Sequence, residues 1–173
     1  VGGVPVGDLS LPEMEVASRL GRLRPLLAES GVDGLLVTNV TNVRYLTGFS
    51  GSAGSLWVDA RRAVLVTDDR YRDQAPEQVA ASGVDVEVEI TGAGRPSVVN
   101  TLVAGVDRPG LEADSVTWAE MERLTDLMTS AGGGDPVSTI GLVESLREVK
   151  DDGEVARIAA AAAIADRALT SVE

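Results

Sequence analysis

Apolar positions along the chain change period repeatedly, and each change marks an element. From Glu13 the spacing is helical: Val16, Leu20, Leu23 and Leu27 fall four, three and four residues apart, one stripe of an amphipathic helix. Gly21 and Pro25 interrupt that stripe. A proline inside a helix lacks the N–H and crowds the preceding turn, so a kink or two shorter helices are expected, with Gly31 as the C-terminal cap. Gly34-Leu35-Leu36-Val37-Thr38 is a short apolar run between turn residues, the pattern of a buried strand. Residues 39–45 read as a short capped helix and 48–54 as a Gly/Ser loop. Strands at 56–58 and 63–67 are joined by Asp59-Ala60-Arg61-Arg62, which fits a hairpin. Asp68 or Asp69 then caps a helix reaching about Ala81. Asp85-Val86-Glu87-Val88-Glu89-Ile90 alternates charged and apolar residues, a strand with one wet face. A short helix at 97–104, a strand at 107–112 and a helix at 117–131 follow. The last has Trp118, Met121, Leu124, Leu127 and Met128 on its apolar side. Gly132-Gly133-Gly134-Asp135-Pro136 breaks the pattern, and 137–149 hold a strand or short helix. Alternating helices and strands with a hairpin specify an α/β domain with a mixed β-sheet flanked by helices, not an all-parallel one.

Asp151-Asp152-Gly153 opens a final helix with the most regular stripe of all. Val155, Ile158, Ala162, Ala165, Leu169 and Val172 step by three and four. Such a stripe belongs against a partner surface. The expected organisation is therefore a loose Gly/Pro-containing tail over 1–12, one domain over 13–149, and a linker with the first helix of a truncated further domain over 150–173. The alternative is that this helix packs on the first domain or on a twin chain.

Composition narrows the chemistry. The chain has 173 residues, 44% of them hydrophobic and 24% charged, ordinary for a globular domain. It has no cysteine and no histidine. That excludes a disulfide framework, thiolate chemistry, Ser-His-Asp or Cys-His nucleophiles and His-ligated metals within these residues. Fifteen basic against 27 acidic residues give a net charge of −12, which repels nucleic acid. Aromatics at 3% argue against base-stacking platforms. Arg19, Arg22 and Arg24 read as a solvated helix face. No charged leader precedes a hydrophobic run, and no stretch approaches 18 apolar residues, so neither a secretory signal nor a membrane span is expected, and a cytoplasmic location is the default.

Two groups invite a chemical reading. The loop Gly48-Phe49-Ser50-Gly51-Ser52-Ala53-Gly54 lacks the lysine of a phosphate loop and the spacing of a dinucleotide fingerprint. It also departs from a nucleophile elbow, because Ser52 stands where the pattern needs glycine. It reads as a turn that needs small residues or is approached closely by a ligand. Asp59, Asp68, Asp69 and Asp73 are hard-metal ligand types, but Arg61, Arg62, Arg70 and Arg72 are interleaved with them, which points to ion pairs and caps.

Three segments carry a resemblance: Asn42-Val43-Arg44-Tyr45-Leu46-Thr47-Gly48-Phe49-Ser50-Gly51-Ser52, then Thr67-Asp68-Asp69-Arg70-Tyr71, then Leu142-Val143-Glu144-Ser145-Leu146-Arg147-Glu148-Val149-Lys150. In sequence, order and spacing they resemble the amino-terminal domain of the Xaa-Pro peptidases, the prolidase, aminopeptidase P and creatinase group of pita-bread metallopeptidases. The resemblance covers about 15–173. It implies the creatinase/prolidase type of amino-terminal domain, followed by the first helix of the catalytic domain.

That resemblance further implies a parent hydrolase cleaving the peptide bond before proline. Its catalytic domain would hold two divalent metals, manganese or cobalt, through two Asp, one His and two Glu. No residue of this sequence matches those ligands, so no catalytic or metal residue is assigned here and the isolated chain is expected to be inactive. The amino-terminal domain shapes the cleft mouth and subunit contacts. Candidate substrate-cleft residues are Arg44, Tyr45, Asp69, Arg70 and Tyr71, with Arg44 and Arg70 able to meet a substrate carboxylate. Pairing of these arginines with nearby aspartates is the competing reading. The implied partners are the chain's own catalytic domain, a proline-containing peptide and further copies in a homo-oligomer, with no nucleic acid and no membrane. A stand-alone binding or oligomerisation module and a creatinase-type amidinohydrolase parent are the alternatives.

Overall fold

Residues 11–92 and 95–171 are described by the computed structural model, so the tail expected at 1–12 falls, but for Leu11 and Pro12, outside the described residues, as does Val172 of the last stripe. The chain divides into two units, one spanning Val16–Glu148 and one combining Val1–Glu15 with Val149–Glu173.

In the larger unit the apolar run at Leu35 becomes strand β1 (Gly34–Val37), buried at every position. It sits inside a six-stranded sheet. The other strands are β2 (Gly54–Asp59), β3 (Ala63–Thr67), β4 (Glu87–Ile90), β5 (Pro109–Glu112) and β6 (Val137–Thr139). Their spatial order is β4-β3-β2-β1-β5-β6. β1–β2 and β2–β3 are antiparallel, while β3–β4, β1–β5 and β5–β6 are parallel. The sheet is mixed, as its sequence pattern required.

Side chains of successive strand residues point to opposite faces, so each strand feeds two cores. Leu35, Val37, Leu56, Val58 and Leu65 pack with α1 (Arg19–Glu29), α2 (Val40–Thr47), α3 (Gln74–Ser82) and α6 (Leu142–Glu148). Leu36, Trp57, Val64, Val66 and Leu111 pack on the other face with α4 (Arg95–Val103) and α5 (Trp118–Ser130). Gly34 is required where β1 crosses Trp57: a Cβ there would overlap the indole.

Several expectations need correction. Pro25 does not split its helix; α1 runs unbroken through it. The carbonyl it crowds, one turn back, belongs to Gly21, where the chain has open space to adjust. Gly31 (φ +66°) closes α1 as a Schellman motif: its N–H donates to the Ala28 carbonyl and that of Val32 to the Leu27 carbonyl. The single helix expected after Asp68 is a 3₁₀ turn over Asp69–Tyr71 followed by α3. Pro76 explains the break, because it is tolerated only in a helix's first turn, where no N–H is needed. Arg19 is not on a solvated face: it is 2% exposed, its guanidinium lies 4.0 Å over the Tyr45 ring, and Nη1 donates to the Tyr45 carbonyl. Trp118 is not on the packed side of α5 but 79% exposed, the first residue of the helix, its indole N–H donating to Glu122. Leu124 and Met128 carry the burial instead.

In the smaller unit the last helix, α7 (Asp152–Thr170), begins with a capping box between Asp151 and Glu154. Asp151 also accepts from the Glu15 N–H, and Arg157 donates to the Pro12 carbonyl. Among the described residues, no helix is long and apolar enough to cross a membrane.

Candidate functional site

The carboxyl ends of β1 and β5 lie side by side, and their continuations part. After β1 the chain enters α2 on one face; after β5 it enters α5 on the other. Such a parting point leaves a crevice at the strand ends of an α/β sheet. A buried polar network fills it. Glu112, the last residue of β5, is 7% exposed. One carboxylate oxygen accepts the N–H groups of Thr38 (2.7 Å) and Asn39 (2.9 Å), and the other accepts Asn42 Nδ2 (2.7 Å). Asn42, fully buried on α2, uses its amide completely. Nδ2 also donates to Glu144 (2.6 Å), and Oδ1 accepts from Arg147 (2.9 Å), both on α6. Asn39 caps α2 through its side-chain oxygen and donates from Nδ2 to Ser115.

Burial raises the pKa of the Glu112 carboxyl above its ordinary value, and the nearby Glu144 charge adds to the rise. The donors from Asn39, Asn42 and Thr38 oppose it without cancelling it. Beside the network a cavity of about 10 Å³, lined by Glu112, Asp114, Ser115 and Glu144 among others, has room for about one water.

The second polar group surrounds the Gly/Ser loop. Phe49 is buried and meets the Tyr71 ring edge-on at 5.3 Å. Tyr71 Oη shares a 2.8 Å hydrogen bond with the Ser52 hydroxyl and accepts the Ser52 N–H. The Ser52 hydroxyl and N–H stabilise the phenolate and hold the Tyr71 pKa below its ordinary value. On the other side of the loop Gln78 accepts the Ser50 N–H and Gln74 donates to the Ser50 hydroxyl.

The residues singled out from sequence are distributed as follows. Arg70 is held bidentately by Asp68, at 2.9 and 2.8 Å, and Asp69 pairs with Arg72 at 2.5 Å. Asp59 accepts from the backbone of Arg61 and Arg62 and from the Trp57 indole. Burial works against its ionisation, but these donors outweigh it and lower its pKa. Asp59, Asp68 and Asp69 thus act in caps and ion pairs, whereas Asp73 stands at the N-terminus of α3 without a side-chain capping bond. Tyr45 is 7% exposed and its hydroxyl donates to the Leu146 carbonyl, so it ties α2 to α6. Arg44 is exposed, and its guanidinium makes no hydrogen bond or ion pair among the described residues. Tyr71 is brought to the Gly/Ser loop, Asp69 and Arg70 are held in ion pairs beside it in the chain, and Tyr45 is drawn into the interior. Sequence reasoning missed Asn42, Glu112, Glu144 and Arg147 as a unit. Asn42, Glu144 and Arg147 lie within the segments that carry the resemblance; the signal for Glu112 was a lone acid closing a strand of otherwise buried positions.

The metal set implied by the resemblance does not fit these residues. The sequence has no histidine, and among the described residues no cluster of three or more potential ligands is placed to hold an ion.

Comparison with known proteins agrees with the fold. Residues 19–149 match the Creatinase/Prolidase N-terminal domain family. An uncharacterized peptidase, YqhT, of Bacillus subtilis is 35% identical over 155 residues, covering 89% of this chain but 42% of its own length. The N-terminal domain of the cytoplasmic peptidase PepQ from Mycobacterium tuberculosis superposes with a TM-score of 0.66 at 38% identity, over 75% of this chain and 98% of that one. The Xaa-Pro dipeptidase from Bacillus anthracis gives a TM-score of 0.70 at 32% identity, over 81% of this chain and 38% of that one. The chain thus spans less than half the length of the whole peptidases it resembles. With residues 19–149 matched by the family's model and solved relatives superposing at more than 30% identity, the chain belongs to the creatinase/prolidase N-terminal domain family.

Proposed function

We propose that this domain is the non-catalytic amino-terminal part of a metal-dependent Xaa-Pro dipeptidase or aminopeptidase. It would shape the mouth of the substrate cleft and contribute to subunit contacts. The observation that carries this is the match of residues 19–149 to an N-terminal domain in a sequence without histidine. Two divalent metals, manganese or cobalt, would be supplied with their ligands by the catalytic domain, the partner of this one. In this reading Arg44, exposed and uncommitted, meets the carboxylate of a proline-containing peptide. Asp69, Arg70 and Tyr71 frame the adjacent loop, and Tyr45 acts by holding α2 in place. Arg70 contributes less, because Asp68 already occupies its guanidinium. A cytoplasmic location and a homo-oligomer complete the proposal, the former supported by the cytoplasmic M. tuberculosis relative.

The test is made in the full-length enzyme with Mn²⁺ or Co²⁺. Arg44→Ala is expected to lower kcat/KM on Ala-Pro roughly tenfold, the worth of one charge-assisted hydrogen bond, and Arg70→Ala to do less. Unchanged values for both remove the substrate role. The 173-residue chain alone is expected to hydrolyse neither Ala-Pro nor Leu-Pro. Because the family spans creatinase as well as prolidase, an amidinohydrolase parent is the second reading; hydrolysis of creatine in place of Xaa-Pro dipeptides would favour it.

A further inference from the structure

β6 closes the sheet, and no strand lies beyond it. The Thr139 carbonyl faces β5, where it accepts the Ala113 N–H. Backbone groups of successive strand residues face opposite edges, so Ser138 turns its own N–H and carbonyl to the open edge. Ser138 is exposed, and Ile140, just past the strand, is 70% exposed. An open edge of this kind accepts an added strand. Ser138 stands opposite Leu111 in the register and shares its face, the one covered by α5. There a cavity of about 240 Å³ is lined by Leu111, Ala113, Val116, Trp118, Met121 and Ser138. It is many times the space one water needs, yet smaller than the roughly 300–1,000 Å³ of pockets that enclose a whole small ligand. That size suits one large side chain of a longer molecule. Trp118 is exposed at this cavity, and tryptophan is a residue enriched where proteins meet partners. Its indole N–H donates to Glu122 at 2.9 Å, which holds a carboxylate beside the cavity. Among the described residues that carboxylate has no cationic partner.

We propose that the β6 edge and this cavity together bind an extended basic peptide segment. Its backbone pairs with Ser138, and one large apolar side chain enters the cavity against Trp118. A Lys or Arg two residues away lies on the same face of the added strand and meets Glu122, with the Trp118 ring as a second attraction for its charge. Charge selects this occupant over a second copy of the chain. A second copy would bring a net charge of −12 to an edge that already holds a carboxylate without a cation, whereas a basic segment neutralises it. Arg44, Asp69, Arg70 and Tyr71 take no part, so this reading and the Xaa-Pro reading fail separately.

The chain has two tryptophans and Trp57 is fully buried, so a change in emission on adding peptide reports on Trp118. The probe is Ac-Lys-Ser-Leu-Ser-Lys-NH2, titrated into the 173-residue chain at low salt. A saturable blue shift of Trp118 and a saturable change in the Ser138 amide signal are expected, both weakened by added salt. Glu122→Gln keeps an acceptor for the indole and should weaken binding about two- to fivefold, the worth of one exposed ion pair. Trp118→Ala, followed by the Ser138 amide, should weaken it about tenfold. Both side chains are exposed, so both variants keep the fold. Ac-Ser-Lys-Leu-Lys-Ser-NH2 has the same composition but its lysines on the opposite face from the leucine, and it should bind more weakly. Ac-Glu-Ser-Leu-Ser-Glu-NH2 should bind weakest of the three. No saturable response to the first peptide would overturn the proposal. Equal binding of the glutamate peptide or of the isomer, or affinity unchanged in both variants, would overturn it equally. A blue shift that grows with protein concentration in the absence of peptide would put a second copy in the groove and likewise end the proposal.

Discussion

Asn42 shows how little freedom one buried side chain can have. Each hydrogen of its amide goes to a different glutamate, and its oxygen receives Arg147. Glu112, in turn, is an acceptor toward all three of its partners. Glu112→Gln therefore tests the network directly. A glutamine can give one oxygen to the Thr38 and Asn39 N–H groups, but its NH₂ then faces the Asn42 NH₂, donor against donor, whereas a protonated glutamate keeps a lone pair there. The variant should be less stable by about 1–3 kcal/mol at the acidic end of the range, the cost of unpaired buried donors. The pH dependence has a definite sign. An unfolded glutamate ionises near about 4.3, and burial raises the native value above that. Between the two values the folded chain holds a proton that the unfolded chain has released, so this group's contribution to stability is full below the unfolded value and falls as pH rises. The wild-type advantage over Glu112→Gln should accordingly shrink from pH 4.5 toward pH 7 in urea unfolding. A constant gap would contradict the raised value. None of this was legible in the sequence, because the partners of Asn42 lie 70, 102 and 105 residues away. A local pattern can place Glu112 on a strand; it cannot say which oxygens meet which donors.

At the scale of elements the signals that could be read were those of short range. The Schellman closure at Gly31, the Asn39 cap, the hairpin pinned by Asp59 and the capping box at Asp151 each lie within a few residues of their cause. What failed was a competition between a local rule and packing. Pro25 is accommodated because the rest of α1 buries Leu20, Leu23 and Leu27. Trp118, the first residue of α5, stays 79% exposed, with its indole N–H held by Glu122 one turn on. The chain contains two kinds of glycine requirement, and they can be separated. Gly51 has an ordinary backbone, but a Cβ would drive into the Phe49 ring, itself fixed against Tyr71. Gly51→Ala should cost about 1–3 kcal/mol of stability, the usual range for overpacking, and loosen the loop. Gly132, after α5, has φ +76° and open space around it, so Gly132→Ala pays only the left-handed backbone cost, about 1–2 kcal/mol. The two are told apart by near-ultraviolet circular dichroism at equal urea: only Gly51→Ala should perturb the aromatic signal of Phe49 and Tyr71. A perturbation by Gly132→Ala as well would refute the distinction.

For the whole molecule, alternation of elements was enough to give an α/β domain with a mixed sheet, but not the strand order. β1 and β5 are paired in parallel although α2, the hairpin, α3, β4 and α4 intervene, and only long-range packing makes that choice. The smaller unit poses a different question. Along α7, Val155, Ile158, Ile164 and Leu169 are 53%, 57%, 50% and 70% exposed. At 100° per residue, Val155, Ile158 and Leu169 fall on one stripe with Ala162 and Ala165, whereas Ile164 lies on the opposite side. Burying each large side chain of the stripe is worth roughly 1.5–3 kcal/mol, and the alanines between them allow close approach of a second helix. The expected outcome is self-association of the 173-residue chain through this stripe. Sedimentation at about 100 µM, where mass action favours a weak dimer, should give a mass above the monomer. Ile158→Glu with Leu169→Glu should restore the monomer without changing helix content, since both side chains are already in water. Ile164→Glu, off the stripe, should leave the mass unchanged. A monomeric wild type, or equal effects of the two sides, would rule out pairing through α7.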